Sequence, residues 1–418
     1  MKRPPPFLAL TVITLALLPQ QTTPDPHHYP LKPTAPPGAR RIDLALWQAL
    51  LPPDTPLSAL SIPGTHDTMA YPRPPATTSS TGGKEKKSGR RGWLPPTVQT
   101  QQNDLATQLR KGVRYIDLRL QHVHDRFTCH HGRVYLHCDF AEVLSILEHF
   151  FSRQGGDRET VLVRIMCANC YFSGRGAGGV GENGNTRTFE QTMRWYRHAN
   201  PLTHDFFRRR VYAGTGIPNL GQARGKIVVL QGFSSDALMY LFPLPSFVLF
   251  LFIKEGRFGI FWGDPGTVRI QDAWSVAGQR QAFDKVRLIR DFFDSLPAAA
   301  ATTSATVPPL AVNHLSGSGG PLWGPRAVSN IVYARLYQWM KWEWDAGRPM
   351  GVVVGDYMTE AITRVIVEKN FLPGGAGQAL AGTVDFCWEY WHRGFQQEER
   401  GDVRIVAAHR RVPPPTVG

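Results

Sequence analysis

Charge and long uninterrupted apolar runs are both scarce in this 418-residue sequence, in which Asp, Glu, Lys and Arg together supply only 19% of the residues. Beside a hydrophobic share of 42%, that composition excludes a disordered chain and a long coiled coil. Cysteine is sparse at five residues. That is too few for a disulfide-built scaffold of this length, and an odd count leaves at least one thiol unpaired. Cys129 with Cys138 and Cys167 with Cys170 are the nearest pairs in sequence, although spacing does not establish connectivity. Cys167-x-x-Cys170 lacks a second such pair and a helix start, so a structural disulfide or two free thiols is a better reading than a redox or metal motif.

A fixed repeat is missing too: the 40 Gly and 34 Pro fall in clusters, which argues for long loops between folded elements and against a solenoid or collagen. Zinc-finger spacings, RNA-binding aromatic motifs and basic heptads are absent. The net charge of +14, from 47 basic and 33 acidic residues, therefore points to an anionic partner with no specific support for nucleic acid. No H-E-x-x-H accompanies the histidines at 122, 124, 130, 131 and 137, and alternation along strands accounts for His122 and His124 without a metal. The site is expected to need no metal and no cofactor.

What is present begins with Lys2, Arg3 and the apolar stretch Phe7–Leu18, followed by polar QQTTP. This matches a secretory signal over residues 1–24, too short to span a bilayer. A Pro-rich extension over 25–56 follows. The expectation is an exported chain acting at a membrane periphery. Another apolar segment, Leu238–Ile253, is interrupted by Pro243 and Pro245 and so is no transmembrane helix. A buried loop and helix, or a ridge that enters lipid, both remain open for it.

From Leu57 onward, eight β-branched runs alternate with helical patterns: ALSIP, RYIDLRL, RFTCHH, TVLVRIM, KIVVLQ, TVRIQ, LAVNHL and GVVVG. FAEVLSILEHFF places Phe140, Val143, Leu144, Leu147 and Phe151 on one face, as a helix of an outer ring would. The pattern predicts an α/β protein, a single irregular (β/α)8 TIM-type barrel over 57–372, with a C-terminal extension over 373–418. Residues 72–96, 173–185 and 297–309 read as large loop insertions, which absorb the surplus over the roughly 250 residues of a plain barrel.

Five groups fall at or near the ends of these runs: His66 and Asp67 in SIPGTHDT, Asp117 and Arg119 in YIDLRL, His131 in HHG, Asp272 in IQDAW and Asp356 in GVVVGDYM. Residues two apart on a strand share a face, so Asp117 can hold the Arg119 guanidinium. Singly, each has a structural explanation as a core histidine, a helix cap or a salt bridge. Together at C-terminal strand ends they describe a barrel active site. One imidazole can take a proton, the other can give one, and the guanidinium can stabilise an anionic phosphoryl group between them.

In their order, SIPGTHD, D-L-R, H-H-G, L-G-x-A-R-G-K-I, I-Q-D and V-x-D-Y resemble the bacterial-type phosphatidylinositol-specific phospholipase C family, over roughly Leu57 to Leu372. The resemblance implies a metal-independent enzyme that splits phosphatidylinositol, or a glycosylated derivative, into diacylglycerol and a cyclic inositol phosphate. It implies His66 as general base oriented by Asp356, and His131 paired with Asp67 as general acid. Arg119, steadied by Asp117, would stabilise the phosphorane where eukaryotic relatives use calcium. Arg224, Asp272 and Trp274 are implied to bind the headgroup, Trp274 standing where the family has a tyrosine. The family's lysine after the TVLVRIM strand has no counterpart, since Met166 and Cys167 occupy that region.

The implied partner is a phospholipid surface, met by a monomer. Lys86, Lys87, Arg90 and Arg91 followed by Trp93 form a basic cluster beside an interfacial aromatic, the composition of a membrane-touching loop. The alternatives are a catalytically weakened lipid- or inositol-binding barrel, a phosphodiesterase for another headgroup, and a metal-dependent glycerophosphodiesterase, for which no acidic metal-binding trio is evident.

Overall fold

The computed structural model describes residues 41–73, 94–168, 180–233, 258–297, 307–345, 348–372 and 374–378. Ten strands form one sheet: β1 (Ser61–Thr65), β2 (Tyr115–Val123), β3 (Arg126–His131), β4 (Val134–Asp139), β5 (Thr160–Cys167), β6 (Lys226–Gly232), β7 (Ile260–Phe261), β8 (Val268–Gln271), β9 (Leu310–His314) and β10 (Gly351–Gly355). The hydrogen-bonded order is β7-β6-β5-β2-β1-β10-β9-β8. Every neighbouring pair in that path is parallel. This is a (β/α) barrel of eight strands, closed except between β7 and β8.

One of the eight runs read from the sequence plays a different part. RFTCHH is β3, which pairs antiparallel with both β2 and β4. It belongs to a hairpin extension of the long strand β2. The barrel strand absent from the sequence count is β7, which has two residues and is too short to give a period-two pattern.

Alternation divides the strand residues into two sets. Ile62, Tyr115, Leu162, Val228, Val312 and Val352 share one buried cluster inside the barrel. Ile116, Val161, Val163, Ile227 and Val353, of opposite parity, join the helices in another. Burial on both faces is why these strands read as near-continuous apolar runs. The helix Phe140–Ser152 buries Phe140, Val143, Leu144, Leu147, Phe150 and Phe151, the expected face with one residue more. Asp139 caps it by accepting from the Glu142 backbone N–H, satisfying one orphan donor of the first turn.

The packed body starts before Leu57. Residues Leu44–Leu50 form a 3-10 turn with Trp47 fully buried, and the Trp47 indole donates to the Gly112 carbonyl at 3.0 Å. Beside it lies a fully buried ion pair, Arg114 Nη2 to Glu159 Oε2 at 2.7 Å. Glu159 Oε1 accepts from the Ala49 N–H, and Arg114 donates to the Ala45 carbonyl. One ion pair thus ties the N-terminal turn to the floor of the barrel.

Cys167 is disulfide-bonded, whereas Cys129 and Cys138 are buried free thiols on β3 and β4. Residues 1–40, the cluster from Lys86 to Trp93, Cys170, the 238–253 segment and residues 379–418 lie outside the described residues. Among the described residues no helix is long and apolar enough to cross a membrane.

Glu159→Gln is expected to cost about 3–5 kcal/mol in urea unfolding, because it leaves the Arg114 charge buried without its counter-ion. A loss below about 1 kcal/mol would show that the pair does not anchor the barrel floor.

Candidate active site

All eight barrel strands point their C-terminal ends at one mouth, so lumen-facing residues change from apolar to polar as each strand approaches it. On β2 the lumen series runs Tyr115, Asp117, Arg119; on β5 it runs Leu162, Arg164, Met166; on β9 it runs Leu310, Val312, His314. Trp262 follows β7, Asp272 follows β8 and Asp356 follows β10 in the same alternation.

Gly64 precedes His66 by two residues, and a Cβ there would come within 2.8 Å of the Tyr115 ring. A side chain at this position would force β1 and β2 apart. Asp67 then adopts a left-handed backbone (φ 39°), as does Tyr357 (φ 50°) after β10, a state that Asp tolerates better than most side chains and Tyr does not. Both turns are held by residues 98–101. Thr100 Oγ1 donates to the Asp67 carbonyl, and Gln101 Nε2 donates to the carbonyls of His66 and Gly355. Tyr357 bonds back through its N–H to Thr100 and through its hydroxyl to Gln99.

Within this frame the predicted polar groups converge. His66 Nδ1 lies 2.8 Å from Asp356 Oδ1, and Arg119 Nη2 lies 2.6 Å from His66 Nε2. A guanidinium can only donate, so Nε2 is the unprotonated nitrogen and the proton sits on Nδ1, facing Asp356. Arg119 Nε is 2.9 Å from Asp67 Oδ1 and 3.5 Å from Asp117 Oδ2. His131 Nε2 is 3.4 Å from Asp67 Oδ2, and its Nδ1 donates to the Val98 carbonyl at 2.6 Å. The two imidazoles stand 6.4 Å apart, edge to face. Asp67 and Asp356 are 1% exposed while the Arg119 side chain is 30% exposed. The anions stand behind, and the groups that would meet a ligand stand in front.

The charges reinforce this arrangement. Burial alone would lower the pKa of His66, but Asp356 and then Asp67 outweigh it, and the net shift is upward from 6.5. Burial would raise Asp117, yet Arg164 and Arg119 hold it well below the usual carboxylate range. Asp272 is likewise lowered, with His314 the largest influence opposing its burial. His130, the other histidine of the HHG turn, is pushed down to about 4 by burial. Its Nε2 faces Thr128 at 3.1 Å, so it takes no part in the cluster.

Asp272 reaches the lumen, 3.8 Å from His314 Nδ1. Trp274 stands on the rim, 62% exposed, free to cover a ligand. Arg224 is not part of the site. It stands two residues before β6 and donates to the Leu51 carbonyl at 2.8 Å, at the N-terminal end of a strand whose other end faces the mouth. Parallel strand direction alone puts it on the wrong side of the barrel. Among the described residues no cluster of three or more His, Cys, Asp or Glu side chains is arranged to hold a metal.

Arg164, Trp262 and His314 are lumen groups that the sequence reading does not single out. Arg164 lies 3.5 Å from Asp117 Oδ1 and sits over the Trp262 ring at 4.3 Å. His314 meets His66 edge to face at 6.1 Å. The signal for Arg164 and His314 was parity, since each stands two residues beyond an apolar lumen position. The 98–101 strap had no signal, because its partners are backbone carbonyls.

An imidazole pair with a guanidinium against it thus stands at the mouth of a (β/α) barrel. The comparisons agree: the chain is related to bacterial phosphatidylinositol-specific phospholipases C. It is 25% identical over 332 residues to 1-phosphatidylinositol phosphodiesterase of Listeria monocytogenes, covering 78% of this chain and 84% of the relative. It is 28% identical over 292 residues to the protein of that name from Staphylococcus aureus, covering 66% and 75%. The solved Listeria monocytogenes phosphatidylinositol-specific phospholipase C shares the fold at a TM-score of 0.53 and 22% identity, over 78% of this chain and 99% of that one. A Staphylococcus aureus phosphatidylinositol-specific phospholipase C structure matches at 0.54 and 20%, over 78% and 97%. No family model matches the sequence.

The His66 imidazole is expected to titrate above 6.5 by NMR. Asp356→Asn removes the largest influence raising it, so the midpoint should fall. An unmoved midpoint would show that Asp356 does not set the proton affinity of His66.

Proposed function

We propose that this chain is an exported, metal-independent phosphodiesterase that cleaves phosphatidylinositol, or a glycosylated derivative, to diacylglycerol and a cyclic inositol phosphate. The observation that carries the reading is the continuous series Asp356, His66, Arg119, Asp67, His131, in which each neighbouring pair lies between 2.6 and 3.4 Å.

In this reading His66 Nε2 takes the proton of the inositol 2-hydroxyl, and that oxygen attacks phosphorus. The bond from phosphorus to the glycerol oxygen breaks, and protonated His131 gives its Nε2 proton to the departing oxygen. The Val98 carbonyl holds His131 Nδ1–H throughout. This leaves Nε2 as the nitrogen that exchanges the catalytic proton, with Asp67 stabilising its charge. Arg119 lies against His66 before substrate arrives. It is placed to turn its outer N–H groups to the pentacoordinate phosphorane, the role a divalent ion fills in related barrels, while Asp67 and Asp117 hold its Nε side. Asp272 would accept from ring hydroxyls, and Trp274 would cover an apolar ring face from the rim.

Export is supported by the signal-like segment at Phe7–Leu18, and a lipid surface by the cluster Lys86, Lys87, Arg90, Arg91 and Trp93. Each basic residue near an anionic leaflet contributes about 1 kcal/mol.

His66→Ala or His131→Ala is expected to lower kcat on phosphatidylinositol vesicles by about 10²–10⁴-fold with an unchanged circular dichroism spectrum. Arg119→Lys should lose about 10²–10³-fold, since an ammonium does not reproduce the fork. Rates within a factor of three of the parent in any of these would refute the corresponding role.

A further inference from the structure

Arg164 is the second guanidinium of the lumen. Its side chain is 8% exposed, yet neither Nε nor Nη1 has a hydrogen-bond partner. Asp117 Oδ1, at 3.5 Å from Nη1, neutralises the charge, and the Tyr115 hydroxyl also faces the guanidinium, but neither makes a well-formed hydrogen bond to Nε or Nη1. His314 is fully buried, and its Nε2 is also without a partner. Its Nδ1 faces Ser316 Oγ at 3.4 Å and Asp272 at 3.8 Å. A buried polar atom left unpaired costs about 1–3 kcal/mol, and folded proteins tolerate it chiefly where a ligand or water completes the bonding. Here the unpaired atoms flank the same aromatic: Trp262 lies 4.3 Å from the Arg164 guanidinium and 6.5 Å from the His314 ring.

We propose that Arg164 and His314 are specificity-determining residues that bind the hydroxyls of an unphosphorylated polyol ring, deepening the function proposed above and resting on it. Arg164 offers two donors, Nε and Nη1, that no protein acceptor meets at hydrogen-bond geometry. With the proton of His314 on Nδ1, toward Ser316 and Asp272, its Nε2 offers an acceptor that lacks a donor. A hydroxyl is both donor and acceptor, so adjacent ring hydroxyls complete the two sets together, while the apolar C–H face of the ring lies on Trp262. A ring phosphate would suit this subsite poorly. Asp272 and the neutral imidazole both present lone pairs to it, and burial keeps His314 uncharged, with its pKa pushed down to about 3.

The test compares the parent with Arg164→Lys, which keeps a cation beside Asp117 but removes the fork, and with His314→Phe, which keeps an aromatic ring but removes both nitrogens. Calorimetric titration with myo-inositol is read beside vesicle kinetics. Each variant is expected to bind myo-inositol about tenfold more weakly, the loss of one charge-assisted or buried hydrogen bond. KM should rise in step, with kcat changed by less than about threefold. A fall in kcat with myo-inositol affinity and KM unchanged would overturn the proposal, because Arg164 would then act only through Asp117 on Arg119. A parent that cleaves phosphatidylinositol and variants that bind myo-inositol equally well would overturn this inference alone. A parent that neither cleaves the lipid nor binds myo-inositol would overturn the proposed function as well.

Discussion

The Arg119 guanidinium holds the site together, because it is bound on one edge by Asp67 and Asp117 and on the other by His66 Nε2. Two buried carboxylates packed this close would repel, and one of them would protonate, without a cation between them. Arg164 adds the second cation on the far side of Asp117. Below this layer the lumen is closed by Tyr115, Leu162, Val228 and Val352. Water is kept from the base of the cluster, and each charge pair there is stronger than it would be at a surface. The apolar barrel interior and the polar mouth are therefore one construction: the first makes the second electrostatically effective.

The backbone contributes as much as the side chains. Asp67 and Tyr357 sit in left-handed conformations two residues past the ends of β1 and β10, the tyrosine at about 1–3 kcal/mol. The 98–101 strap offsets this strain by bonding both turns at once. The Val98 carbonyl belongs to the same strap and sets the orientation of His131. His66, His131, Asp67 and Asp356 are thus placed by a single run of chain, although they come from widely separated parts of the sequence.

Much of this was legible in the residues. The barrel followed from long β-branched runs, and five polar positions at strand ends were brought together as their placement implied. The errors have physical reasons. RFTCHH has the composition of a strand, but composition does not tell a barrel strand from a hairpin that extends one. Ile260–Phe261 is too short to show a period. The A-R-G-K-I motif marks Arg224 as a headgroup contact by resemblance alone, but its place ahead of β6 puts it at the far end of the barrel. Arg164 and His314 were legible by lumen parity, whereas the Val98 carbonyl contact depends on a tertiary approach that local sequence does not encode.

The central claim is that two imidazoles and one guanidinium suffice to drive an intramolecular displacement at phosphorus. It is tested most directly by following the phosphorus resonance of phosphatidylinositol vesicles incubated with the purified protein in excess chelator. The account predicts the resonance of a five-membered cyclic inositol phosphate appearing as the lipid signal declines. Silence in chelator with turnover restored by added calcium would contradict it, since Arg119 would then not carry the charge of the transition state.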